Sequence, residues 1–133
     1  MTSADQVVRA FFDSWKRNDP DEVAAFFTPD ATYTDGPRGT SYGRDAIRRV
    51  MAAALTQFPA GFDVTVRSLV SDGRTVMVER TDRFEVAGRS FDMDVAGALE
   101  VNEDGQISRW RDYFDLRQIE DEIAASRSEL GES

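Results

Sequence analysis

Apolar residues recur at three- and four-residue steps through the first sixty positions and at two-residue steps through most of the rest. Val7, Val8, Phe11, Phe12 and Trp15 predict a first helix. Asn18-Asp19-Pro20-Asp21-Glu22 then offers capping side chains, a proline for the first turn and acids for the positive end of a helix dipole. A short second helix is expected there, with Val23, Phe26 and Phe27 as its apolar face and Thr28-Pro29-Asp30 as its stop. Ala31-Thr32-Tyr33-Thr34 predicts a short strand, and Asp35-Gly36-Pro37-Arg38-Gly39 a turn. Ile47, Val50, Met51, Ala54, Leu55 and Phe58 trace the stripe of a third helix beginning near Arg44 and ended by Pro59-Ala60-Gly61.

Beyond that point the period is two. Phe62, Val64, Val66, Ser68 and Val70 share one face of a strand. Ser71-Asp72-Gly73-Arg74 turns into a second strand, Ala87-Gly88-Arg89 into a third carrying Phe91, Met93, Val95, Gly97, Leu99 and Val101, and Asn102-Glu103-Asp104-Gly105 into a fourth, from Gln106 to about Leu116. The tail from Gln118 reads as a polar, partly frayed helix. Helices followed by strands with tight turns predict an α+β domain spanning residues 1–133, three helices packed on one side of an antiparallel sheet.

Parity exposes an anomaly. In the second strand Val76, Val78, Arg80, Asp82, Phe84 and Val86 share the apolar face, so an arginine and an aspartate point inward although a polar face is available. The last strand repeats this with Asp112, between Trp110 and Phe114. A buried unpaired carboxylate is costly. The economical arrangement gathers Asp82, Arg80 and Asp112, because one guanidinium fork can bond two carboxylates. Two acids around one base leave surplus negative charge, so one carboxyl is expected to hold a proton and act as acid beside a basic partner. An inward Arg–Asp pair is commonly a structural salt bridge. A second inward aspartate on another strand tips the balance toward a functional site. Tyr33 and Asp35 share a face on the short segment before the first turn, where they could hold a water or a substrate oxygen, or simply be a core-edge tyrosine and a turn aspartate.

Composition narrows the chemistry. The chain has 133 residues, no histidine and no cysteine. Ser-His-Asp and Cys-His catalysis are thereby excluded, and zinc sites disfavoured. Acid–base work near neutrality falls to carboxylates, tyrosine or lysine in altered environments. A net charge of −9 argues against nucleic acid or an anionic membrane as partner. No apolar run is long enough to span a bilayer, and the start lacks signal-peptide features, so a cytoplasmic location is expected. Arg80 within the acidic cluster disfavours a metal, and no phosphate-binding loop occurs.

These features resemble the NTF2-like or SnoaL-like fold, a cone-shaped α+β barrel around an apolar pocket. The generic signs are Phe11-Phe12, Asp30-Ala31-Thr32 and Tyr42-Gly43-Arg44-Asp45-Ala46-Ile47. Glu79-Arg80-Thr81-Asp82 and Trp110-Arg111-Asp112-Tyr113-Phe114-Asp115-Leu116-Arg117 resemble limonene-1,2-epoxide hydrolase more specifically. That resemblance implies a cofactor-independent addition of water to a small apolar epoxide. Asp112 would be the general base, Asp82 the general acid, Arg80 the bridge and Tyr33 a water holder. The family has asparagine where this chain has Asp35. The resemblance also implies a pocket wall of Phe12, Trp15, Ala54, Phe58, Phe84, Met93, Val95 and Phe114, and a homodimer joined through the open sheet face. Two alternatives on the same fold are a polyketide cyclase or ketosteroid-isomerase-type enzyme, and a non-catalytic binding module.

Overall fold

The structure, a computed structural model, describes residues 2–129; residue 1 and residues 130–133 of the expected domain lie outside the described residues. Helix α1 (Ala4–Ser14) begins with a capping box between Ser3 and Gln6 and buries Val7, Val8, Phe11 and Phe12. Trp15 follows in a single 3-10 turn, also buried. Helix α2 (Pro20–Ala24) is capped by Asp19, whose carboxylate accepts from the backbone N–H of Asp21 and Glu22. Helix α3 (Arg44–Gln57) buries Ile47, Met51 and Leu55.

Among the described residues six strands follow one another across a single sheet in the order β2-β1-β6-β5-β4-β3. They are β1 (Phe27–Asp35), β2 (Thr40–Tyr42), β3 (Asp63–Ser71), β4 (Thr75–Val86), β5 (Arg89–Val101) and β6 (Ile107–Tyr113). The main core lies between this sheet and α1, α2 and α3. Among the described residues no helix is long and apolar enough to cross a membrane.

Several expectations need correction. The sheet is mixed, because β1 runs parallel to β6. It is curved but not a closed barrel: β2 and β3 are its two edges and do not pair with each other. Helix α2 ends at Ala24, and Phe27 opens a strand instead of closing a helix face. A phenylalanine four residues beyond Val23 satisfies both readings. Pro29, which cannot donate to a ladder, sits in the register irregularity between Phe27 and Thr32. In β3 the alternation slips at a bulge between Val66 and Ser68, so Leu69 is half-buried while Val70 stands 66% exposed. The last strand stops at Tyr113. The tail is a fourth helix, α4 (Leu116–Glu129), whose first turn is capped by Asp115 and which buries Ile119.

Candidate active site

Arg80, Asp82 and Asp112 converge, and all three are almost fully buried at 1%, 2% and 3% exposure. The strands that carry them, β4 and β6, are not neighbours; β5 lies between them. Two strand spacings are about 9.6 Å, a gap that only a side chain as long as arginine closes. Arg80 donates from Nε to Asp82 Oδ1 at 3.0 Å and from Nη2 to Asp82 Oδ2 at 3.3 Å. It also donates from Nη1 to Asp112 Oδ1 at 2.8 Å and from Nη2 to Asp112 Oδ2 at 2.7 Å. Its guanidinium lies against the rings of Phe12 and Trp15, 4.6 and 5.3 Å from their centroids.

The two carboxyls differ in surroundings. Asp112 takes a further hydrogen bond from the Trp110 indole, Nε1 to Oδ1 at 2.8 Å. Three N–H donors thus address Asp112, leaving one acceptor position on Oδ2. Among the described residues Asp82 has Arg80 alone, and burial, opposed by Arg80 and helped by Asp112, pushes its carboxyl above the usual aspartate range. Burial alone would weaken Arg80's hold on its proton; Asp112 and Asp82 outweigh it, and the guanidinium stays charged.

Strand β1 brings a second group to the same place. Tyr33 pairs in register with Trp110, and Asp35 with Asp112. The Tyr33 ring stacks on Trp110 at 3.6 Å with 12° between planes. Its hydroxyl donates to Asp35 Oδ1 at 2.7 Å. Burial first, then the charges of Asp112 and Asp35, raise the Tyr33 phenol well above its usual range. Arg38 reaches back from the turn to Asp35 Oδ2 at 3.5 Å.

A profile of SnoaL-like domains matches residues 8–110. The chain belongs to the SnoaL-like family. Over 109 residues it is 34% identical to the epoxide hydrolase EphG of Mycobacterium tuberculosis, a match covering 82% of this chain and 71% of that protein. It superposes on the solved structure of an LEH-like epoxide hydrolase from M. tuberculosis with a TM-score of 0.78 and 27% identity, over 96% of this chain and 93% of the other. A solved NTF2-like protein from Anabaena variabilis gives a TM-score of 0.73 at 22% identity, over 84% and 86% of the two chains. The architecture is therefore NTF2-like, with the sheet left open.

In this SnoaL-like chain the buried polar cluster forms one wall of an apolar cavity. Of the eight residues expected in the wall, Trp15, Ala54, Phe58, Met93, Val95 and Phe114 line it. Phe12 does not; it lies behind the site, under Arg80. Phe84 does not either, because Phe58 and Phe62 cover its ring at 4.6 and 5.6 Å. The cavity adds contributors that sequence reasoning misses. Trp110 reads as plain core, although its place two residues before Asp112 on one face puts its N–H within reach. Ile119 and Ile123 close the cavity from α4; their four-residue spacing is the available signal. Arg38, which reads only as a turn residue, lines it too.

Gly97 explains how Arg80 crosses β5. It pairs with Val78 on one side and Asp112 on the other, at an inward position of the strand. A Cβ there would lie 2.8 Å from Asp112 Oδ1 and 3.1 Å from Arg80 Nη1. Its backbone is not in the left-handed region, so the glycine is required for space. Asp112 is held by three donors and cannot yield cheaply. Gly97→Ala is expected to cost about 1–3 kcal/mol through overpacking. It should also lower turnover of any reaction using the triad about 100-fold, the scale of a 1 Å misplacement. Urea denaturation and steady-state kinetics check both; wild-type turnover in the variant would mean the spacing is not needed.

Proposed function

We propose that this chain is a cofactor-independent epoxide hydrolase that adds water to a small apolar epoxide in one step, giving a vicinal diol. The observation that carries the reading is the single guanidinium shared by two inequivalent buried carboxyls on the wall of an apolar cavity. It is supported by the similarity to the M. tuberculosis epoxide hydrolase EphG and to the solved LEH-like epoxide hydrolase structure from the same organism. In this reading Asp112, ringed by donors, keeps one lone pair for the proton of an attacking water. Asp82, buried and short of donors, carries the proton that the epoxide oxygen needs as its C–O bond breaks. Arg80 joins the two and holds their distance. Tyr33 bounds the water's position beside Asp112. No covalent enzyme intermediate forms.

The cyclase or isomerase alternative needs one base and one oxyanion donor, and gives no task to an arginine between two acids. A single turnover in oxygen-18 water on a panel of cyclic and acyclic epoxides tests the proposal: label in the diol and none in the protein supports it. Turnover of a β-enone with every epoxide untouched would replace it with the isomerase reading. The rate also carries a pH signature. A general acid must start protonated, so turnover falls as pH rises through the folded pKa of Asp82. Because that value is raised, the alkaline limb of the kcat/KM profile, which reports the free enzyme, is expected above the ordinary aspartate value of about 3.9. An alkaline limb at or below that value would remove Asp82 from the role.

The proposal extends to a homodimer through the outer sheet face, where Val70, Met77, Ala98 and Arg111 form one cross-strand row and Val70 and Met77 are exposed. Sedimentation of the wild type and of Met77→Glu tests it: a monomeric wild type, or a dimer that Met77→Glu leaves intact, removes this interface.

A further inference from the structure

The cavity holds three acids, Asp35, Asp82 and Asp112, and two guanidiniums, Arg80 and Arg38. One proton on Asp82 makes the set neutral, and it does so only if Arg38 is counted. The turn that carries Arg38 is built to bring it back. The Asp35 N–H bonds the Gly39 carbonyl at 2.9 Å and closes the loop. Gly36 at φ +50 packs so tightly on Phe114 that a Cβ would meet that ring at 2.7 Å. The Arg38 guanidinium lies over the same ring, 5.7 Å from its centroid. From there it reaches Asp35 while remaining 47% exposed.

Tyr33 has one proton and gives it to Asp35. Stacking on Trp110 prevents the ring from turning away. The phenol therefore offers only lone pairs to the cavity.

We propose that Asp35 and Arg38 act as a charge-paired unit that fixes Tyr33 as a hydrogen-bond acceptor toward the cavity, with Arg38 a positioning residue acting through Asp35. The pair takes the place of the neutral amide found at this position in the family that the chain resembles. The inference deepens the hydrolase reading and rests on it for the identity of the cavity's occupant. A water that donates one proton to Asp112 and the other to Tyr33 keeps both lone pairs for the epoxide carbon. As the new C–O bond forms and the epoxide C–O bond breaks, that water's proton passes to Asp112. The proton of Asp82 passes to the leaving oxygen. Exchange with solvent then returns one proton from Asp112 to Asp82.

A double-mutant cycle tests the pairing. Arg38→Gln is expected to lower kcat roughly tenfold with little change in KM, a loss within the usual coupling between contacting residues. In an Asp35→Asn background, where no charge is left to compensate, the same substitution should change kcat less than about twofold. Equal losses in both backgrounds would overturn the proposal. A second arm needs no turnover. The chain has three tyrosines, and Tyr42 and Tyr113 are 75% and 57% exposed. Tyrosine-selective carbon-13 NMR, with the Tyr33 signal assigned by its loss in Tyr33→Phe, should show the Tyr33 titration delayed far beyond the usual phenol range. Asp35→Asn removes one of the charges facing Tyr33, leaving Asp112 and Arg80, and should advance the delayed titration alone. An unchanged Tyr33 titration overturns the inference even if no epoxide is ever turned over. Loss of epoxide turnover in the wild type, with the titration shifted as expected, removes the hydrolase reading and leaves the Tyr33–Asp35 pairing standing.

Discussion

Asp112→Asn and Asp82→Asn are each expected to reduce epoxide turnover by about 10²–10⁴-fold, the usual contribution of one general acid or base. The two losses should differ in kind. In Asp112→Asn the carbonyl oxygen can still accept from Arg80 Nη1 and Trp110 Nε1 at the Oδ1 position, but the amide NH2 replaces the acceptor that faced Arg80 Nη2, and the side chain cannot take up a proton from water. Substrate binding should survive, so the loss falls on kcat with KM nearly unchanged. Asp82→Asn puts a neutral group of the same shape in a place where the native carboxyl is already pushed toward its neutral form. The protein should therefore tolerate that substitution well in urea denaturation while losing its acid. An epoxide whose oxygen needs less protonation, such as a styrene-type epoxide opening with more carbocation character, should be spared part of that loss. The double variant should lose less than the product of the single losses, because acid and base act in one step. Undiminished turnover in both single variants would leave the buried cluster with a structural role only.

The inward charges are legible because β4 has one face to solvent. Its period of two is broken only at the buried Thr81, and Arg80 and Asp82 lie between Val78 and Phe84 on the buried side. The other places where the sequence misleads share a cause: their meaning depends on register or on a partner element. The bulge between Val66 and Ser68 reverses which residues of β3 face inward, and nothing local announces it. Phe27 fits a helix face by spacing, and only its pairing beside Ile107 places it in a strand. Gly97 stands in an ordinary alternation, and its purpose emerges only once Asp112 and Val78 are known to flank it. Arg38 lies in a turn whose return path depends on a left-handed Gly36 packed on Phe114. The tail is polar on balance, and Ile119 and Ile123 acquire their role because the open sheet leaves a cavity for them to close. Where no bulge intervenes, local pattern thus reports which side chains turn inward, whereas the contacts that make them a site come from the strand order.

Removing the guanidinium is expected to be the most destabilising single change in the site. Arg80→Met leaves Asp82 and Asp112 buried with no counter-ion, and stripping one partner from a buried ion pair costs about 3–5 kcal/mol. Against a typical total stability of about 5–15 kcal/mol, that is a large fraction. The cost should depend on pH. Burial already raises the folded pKa of Asp82, and Arg80 is the charge that opposes this; without Arg80 the protonated form of Asp82 is favoured further by folding. Such a group contributes most to stability below the unfolded pKa, and that contribution is lost as pH rises through the folded pKa. The gap between wild type and Arg80→Met should therefore be small near pH 4 and widen toward pH 8. Trp110 still donates to Asp112, so Asp82 should account for more of the widening. Adding Asp82→Asn and Asp112→Asn to Arg80→Met removes both charges, and the triple variant should recover most of the lost stability at pH 8 while remaining inactive. Denaturant midpoints at the two pH values separate the cases. A penalty independent of pH would mean that the lost packing of Arg80 against Phe12 and Trp15 outweighs the uncompensated charge.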